Sequence, residues 1–172
     1  MSWKRVARDL VALGALLEMW LVSNRWQVGR GGVVATVLCV LASILLGLSW
    51  GYAAHEWGHL AGALLSKSRI RVHDHALSAK LFEFRPSENT RRQFLWMAWG
   101  GLVVLWAQAV GFALFLPWGS VGGVVGIGFS VLGAFFTTAI EGPIVLRVSR
   151  GGSLPADRSA ESGSGVSASA AV

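Results

Sequence analysis

The chain has 172 residues, 53% of them hydrophobic and only 14% charged, with a mean hydropathy of +0.56. Soluble domains of this size carry about a quarter charged residues, so a water-soluble globular domain is excluded and an all-α polytopic membrane protein is expected. The net charge of +6 does not point to nucleic acid, because the basic residues sit in short segments between apolar runs, where a cytosolic membrane face attracts them.

Four apolar segments are predicted in chain order. The first runs from about Leu10 to Val22. At roughly 13 residues it is short for a span and can lie along the interface instead. The charged N-terminus before it resembles a signal peptide, but no small-x-small cleavage site follows and Glu18 interrupts the run, so a retained membrane segment is expected. The second segment starts near Val33, the third covers about Phe94 to Trp118, and the fourth about Val121 to Leu146.

Counting cations sets the orientation. Thirteen of the fifteen Lys and Arg residues lie before the first segment, between the second and third, or after the fourth; Arg25 and Arg30 alone fall on the other side. Both termini and the central loop are therefore expected in the cytosol, with the chain in the cell membrane and four spans satisfying the parity. The division expected is an N-terminal stub, first segment and external loop over 1–32, a membrane core over 33–147 with a cytosolic loop at 67–92, and a Ser-, Ala- and Gly-rich tail over 148–172 that should be disordered from Gly151. Within the loop, "RIRVH" and "KLFEFR" alternate and predict one or two short strands ended by Pro86. The tryptophans Trp20, Trp26, Trp96 and Trp118 flank spans, as aromatic belts do. Gly122 and Gly126 form a small-xxx-small pair suited to helix contact. Cys39 is the single cysteine, which rules out a disulfide within the chain.

The second segment ends in "AAHEWGHLAGALL". Ionisable groups are rare in spans and mark function by default. In HExxH, His55 and His59 share a helix face and can reach one metal ion, while Glu56 is placed to deprotonate a metal-bound water without being a ligand. Gly58 keeps that turn narrow for a neighbouring helix or a substrate. Catalytic zinc takes three protein ligands, so a third is needed. His55 lies roughly 33 Å along the second span and Glu141 roughly 32 Å along the fourth, so both reach nearly the same depth. Glu141 is favoured on that ground, and Gly142–Pro143 after it suggests a local helix break that would turn it toward the metal. His73, Asp74 and His75 in the loop, and Glu18, stay open as alternatives.

A span ending in HExxH, a strand-bearing surface loop, a glycine-marked span ("MAWGGLVVLW") and a last span with an acidic-Gly pair resemble the site-2 protease family of intramembrane zinc metalloproteases, over about Val33 to Arg147. The resemblance implies one zinc held by His55 and His59, Glu56 as catalytic base, and Glu141 where the family has the aspartate of its Asp-Gly motif. The Asn and Pro that usually precede that aspartate do not occur here. Gly100 and Gly101 resemble the family's middle motif, without its Pro and Asn, and read first as close helix packing. No PDZ-like domain is expected. The implied activity is zinc-dependent hydrolysis of membrane-embedded protein substrates near the cytosolic face, with a gating membrane partner open. The rival reading is a catalytically silent metal-binding scaffold or a small transporter.

Overall fold

A computed structural model describes residues 3–72 and 81–156. Four helices, α1 (Trp3–Arg30), α2 (Val33–Leu65), α3 (Arg91–Phe115) and α4 (Val121–Ser149), carry most of the chain, and a two-stranded sheet, β1 (Ile70–Val72) and β2 (Phe82–Phe84), lies between α2 and α3.

The helix limits follow local chemistry. Gly31 and Gly32 take positive φ values of 63° and 94°, which separates α1 from α2 at the residue type that tolerates them. Thr90 caps α3 in a reciprocal capping box with Gln93, and the Ser120 side chain accepts from Gly123 N at the start of α4. Both caps satisfy backbone donors that a helix start leaves open. The strands pair antiparallel with Ile70 opposite Phe84 and Val72 opposite Phe82, so both expected strands form. Pro86 then opens a short 3-10 turn, Pro86–Glu88. Beyond the ladder, the Asn89 side chain accepts from Arg69 N at 2.7 Å and donates to the Arg69 and Arg85 carbonyls, closing the hairpin's open end.

Three helices, α2, α3 and α4, are long and apolar enough to cross a membrane, with mean hydropathies of 2.4, 1.7 and 1.9 over their most apolar windows. Their burial pattern is the reverse of a water-soluble bundle. The buried face of α2 is mostly small: Ala35, Cys39, Ala42, Ser43, Gly47, Gly51, Gly58, Gly62 and Ala63. Its outward residues include Leu41, Leu45 and Leu48, all exposed. Large apolar side chains turned outward over small inward ones suit hydrocarbon as the solvent, and the fold is compatible with an integral membrane protein.

α2 is the central helix. Against α3, a Cβ on Gly58 would stand 2.5 Å from the Gly100 carbonyl oxygen, and one on Gly62 would overlap the Trp96 carbonyl. Against α4, a Cβ on Gly47 would stand 2.8 Å from the Gly126 oxygen. Backbones meet at both seams because no side chain holds them apart.

Four expectations are corrected by the structure. The first segment extends well beyond Leu10–Val22: α1 has 28 residues and runs antiparallel along α2, with Trp57 Nε1 bonded to Asp9, Trp50 Nε1 to the Leu13 carbonyl and Trp20 Nε1 to Ser43. Trp20 is not a belt residue. It is 4% exposed and also donates to the Gly122 carbonyl, so it ties α1 to α2 and α4. α4 runs unbroken through Pro143; that proline withholds one backbone donor, and the flanking turns keep the helix continuous. The expected tail begins with placed residues: Gly152 N donates to the Arg147 carbonyl, and Leu154 packs against the Phe94, Ala98 and Val145 cluster. The remainder, 157–172, lies outside the described residues.

Candidate metal centre

The α-helical period places His55 and His59 one turn apart on the same side of α2, and their Nε2 atoms face each other at 2.9 Å. Glu141 reaches this pair from α4, 86 residues away. Its Oε1 lies 3.0 Å from His55 Nε2 and its Oε2 3.5 Å from His59 Nε2. Among the described residues these three side chains form a group able to hold a metal ion. The depth argument is met without a break at Pro143: α2 and α4 run parallel, with Gly122 beside Cys39 and Gly126 beside Gly47, and that register alone brings position 141 to the level of 55 and 59.

Hydrogen bonding around the group decides which ring atoms are available. His59 Nδ1 lies 2.9 Å from the Met97 carbonyl oxygen. A carbonyl only accepts, so Nδ1 carries the proton, and a neutral ring then presents a lone pair at Nε2. This is the arrangement of a metal-binding histidine held by a backbone carbonyl. The ring lies on Gly101, where a Cβ would stand 2.5 Å from Nδ1 and 2.7 Å from Nε2. Gly101 is therefore the seat of His59, and Gly100 beside it meets Gly58 and Gly62. His55 Nδ1 is buried without a hydrogen-bond partner among the described residues.

The donor set and its spacing are compatible with a bound metal ion. Tetrahedral ligands at about 2.0–2.2 Å lie roughly 3.3 Å from one another, close to the separations of 2.9, 3.0 and 3.5 Å here. Two imidazole lone pairs and a carboxylate turned toward one point are also mutually repulsive unless a cation or a proton sits among them. The His55 and His59 side chains are 8% and 12% exposed, whereas Glu141 is 33% exposed, so the centre is open on its α4 side.

The other sequence candidates fall elsewhere. Glu56 is half-buried next to His55 but outside the ligand group, a position suited to a base and not to a ligand. Glu18 is exposed on α1 between the Leu13–Trp50 and Trp20–Ser43 contacts, turns away from the histidines. His73, Asp74 and His75 lie outside the described residues. Two supporting groups had no signal as site residues. The Met97 carbonyl is backbone and leaves no trace in residue type. Asp9 fixes Trp57, inside the HExxH turn, at 3.1 Å, and only its position as an acid near a span start could have drawn notice.

Compared with protein-family models, curated proteins and solved structures, the chain matches none. Fold and site together describe a mostly helical protein, compatible with an integral membrane protein, with a candidate His-His-Glu metal centre at one end of its bundle.

Proposed function

We propose that the protein is an intramembrane zinc metalloendopeptidase of the site-2 protease type, hydrolysing peptide bonds of membrane-embedded substrates near the cytosolic face. The observation that supports this most is the convergence of His55, His59 and Glu141 on one point, with a second carboxylate, Glu56, adjacent to His55 in sequence and outside the ligand group. A structural metal site has no need of that extra carboxylate. Zinc bound there would act as a Lewis acid and bring the pKa of a bound water toward about 7.

Each side chain then has one task. His55, His59 and Glu141 hold the ion, and the Met97 carbonyl keeps His59 in the ligating tautomer. Glu56 accepts the proton of the attacking water and returns it to the leaving amine. Glu141 replaces the family's aspartate with a side chain one methylene longer, and the His-His-Glu set is a known catalytic zinc set. A substrate helix must first unwind, since its carbonyls are bonded within the helix. The β1–β2 hairpin offers an edge for the unwound segment to pair with; deletion of residues 69–84 should then abolish cleavage while zinc stays bound, and undiminished cleavage would remove the hairpin from the mechanism.

The same reading places four crossings in the cell membrane. Because α1 lies antiparallel along α2, α1 crosses wherever α2 does, and the cation-rich ends share the cytosolic side. The competing reading is a silent metal-binding scaffold that engages a membrane partner.

Elemental analysis of detergent-purified protein is the first test. About one zinc per chain is expected, lost in His59→Ala and weakened in Glu141→Ala, with Glu56→Gln keeping its zinc but cleaving no model transmembrane substrate. Full phenotype in Glu56→Gln would favour the scaffold. Iron in place of zinc, or no metal, would end the protease reading.

A further inference from the structure

Beside the metal centre, across the α2–α3 seam, lies a second feature that the protease reading does not use. It is a groove of about 520 Å³ on the outer side of the crossing, floored by Gly58, Gly62 and Gly100 and walled by Trp96 and Trp99, with Arg92 at one end. The three glycines make it: with no side chains along the crossing, the floor is bare backbone and the neighbouring indoles stand up as walls. Both Arg92 and Val104 line it, a separation of about 18 Å along α3. One leaflet of hydrocarbon is about 15 Å deep. The groove therefore runs the depth of a leaflet from a cationic head to an apolar foot.

The charge at the head lacks a counterpart. α3 opens with Arg91 and Arg92 and has no acid in its first turn, although a helix N-terminus disfavours cations and favours anions. Arg91 is bonded to the Ser149 carbonyl at the C-terminus of α4, 2.7 Å away. Arg92 is exposed and forms no hydrogen bond or ion pair among the described residues.

We infer that this groove binds one acyl chain of an anionic phospholipid from the leaflet at the basic end of the bundle, with Arg92 holding the phosphate of the headgroup. A chain of methylenes fits between the two indoles. A partner helix about 10 Å across and 18 Å long occupies roughly 1,400 Å³, well over the groove's volume. The scissile segment of a substrate is no better an occupant, because Gly58 and Gly100 close the seam between groove and His59. The bound lipid wedges against the same turn of α2 that carries His59, and so braces the seam from outside.

Native mass spectrometry of the full chain, exchanged into detergent with equal amounts of phosphatidylglycerol and phosphatidylcholine, tests this without reference to proteolysis. Wild type should retain one phosphatidylglycerol with at least a tenfold preference. Arg92→Glu should lose the preference, and Ala61→Trp, which fills the groove from an exposed position on α2, should lose the lipid. Arg25→Glu, a cation away from the groove, should behave as wild type. Zinc content measured on the same samples should be unchanged in all three, which separates loss of lipid from loss of fold and keeps this test apart from that of the protease reading. Equal retention of both lipids by wild type, undiminished phosphatidylglycerol binding in both groove variants, or loss of preference in Arg25→Glu would overturn the inference. So would a lipid-free dimer that Ala61→Trp dissociates, which would give the groove to a second copy of the chain.

Discussion

The His59 imidazole has three neighbours that constrain it: His55 Nε2, the Met97 carbonyl and the bare Cα of Gly101. Removing freedom from a ligand side chain in this way raises metal affinity, and loss of such supporting contacts costs 10- to 100-fold. Gly101→Ala should therefore weaken zinc binding by about that factor, measured by competition with a chelator. Gly111→Ala is the control, since nothing lies within 4 Å of its added Cβ. If Gly101→Ala binds zinc as tightly as wild type, the ring is not seated there. The two histidines were legible in the sequence because the i, i+4 relation is local. Gly101 was legible as a packing glycine, but the atom it receives was not, because nothing within α3 specifies which residue of α2 lies opposite.

At the scale of the element, α2 and α3 are held by an absence of side chains. Gly58 and Gly62 on one helix meet Gly100 and the Trp96 carbonyl on the other, so dispersion between closely approached backbones replaces the hydrophobic effect that hydrocarbon solvent removes. Gly62→Ala must push the helices apart and is expected to cost about 1–3 kcal/mol, the usual penalty of overpacking. Gly14→Ala, in open space on α1, should cost nothing measurable. Unfolding in mixed detergent and sodium dodecyl sulfate compares the two, and equal midpoints would show that the seam tolerates a methyl group. Pro86 marked the end of β2 in the sequence, whereas the Thr90–Gln93 capping box and the positive-φ pair Gly31–Gly32 between α1 and α2 emerged with the structure. Elements were read poorly where apolar content was the guide. α1 is cut short by hydropathy because its flanking turns are charged, yet Arg5 reaches the Leu81 carbonyl and Asp9 reaches Trp57, so those turns are helical on tertiary contacts.

For the molecule as a whole, the consequence is one of sidedness. If α1 crosses with α2, then Lys4, Ser87 and Ser153 lie on one face of the membrane and Arg30 and Gly119 on the other. Single cysteines at these positions, in a Cys39→Ser background, should label accordingly with a membrane-impermeant maleimide. Lys4 labelling from the same face as Arg30 would leave three crossings, with α1 folded along the surface. The expected cytosolic position of the Lys4 face rests on the excess of Lys and Arg that the sequence places on that side of its apolar segments.

What the sequence determined by itself was whatever depends on neighbours a few residues apart: the apolar runs that suit a bilayer, the turn of helix that pairs His55 with His59, and the proline that ends β2. The tertiary structure decided everything that depends on the register between helices. It brought Glu141 to the histidines through an unbroken α4, made Trp20 a buried tie instead of a belt residue, set Gly101 under His59, and opened a groove beside it. Such register comes from which small residues meet across a seam, and a glycine marks only that something can come close. What comes close is settled when all four helices pack at once.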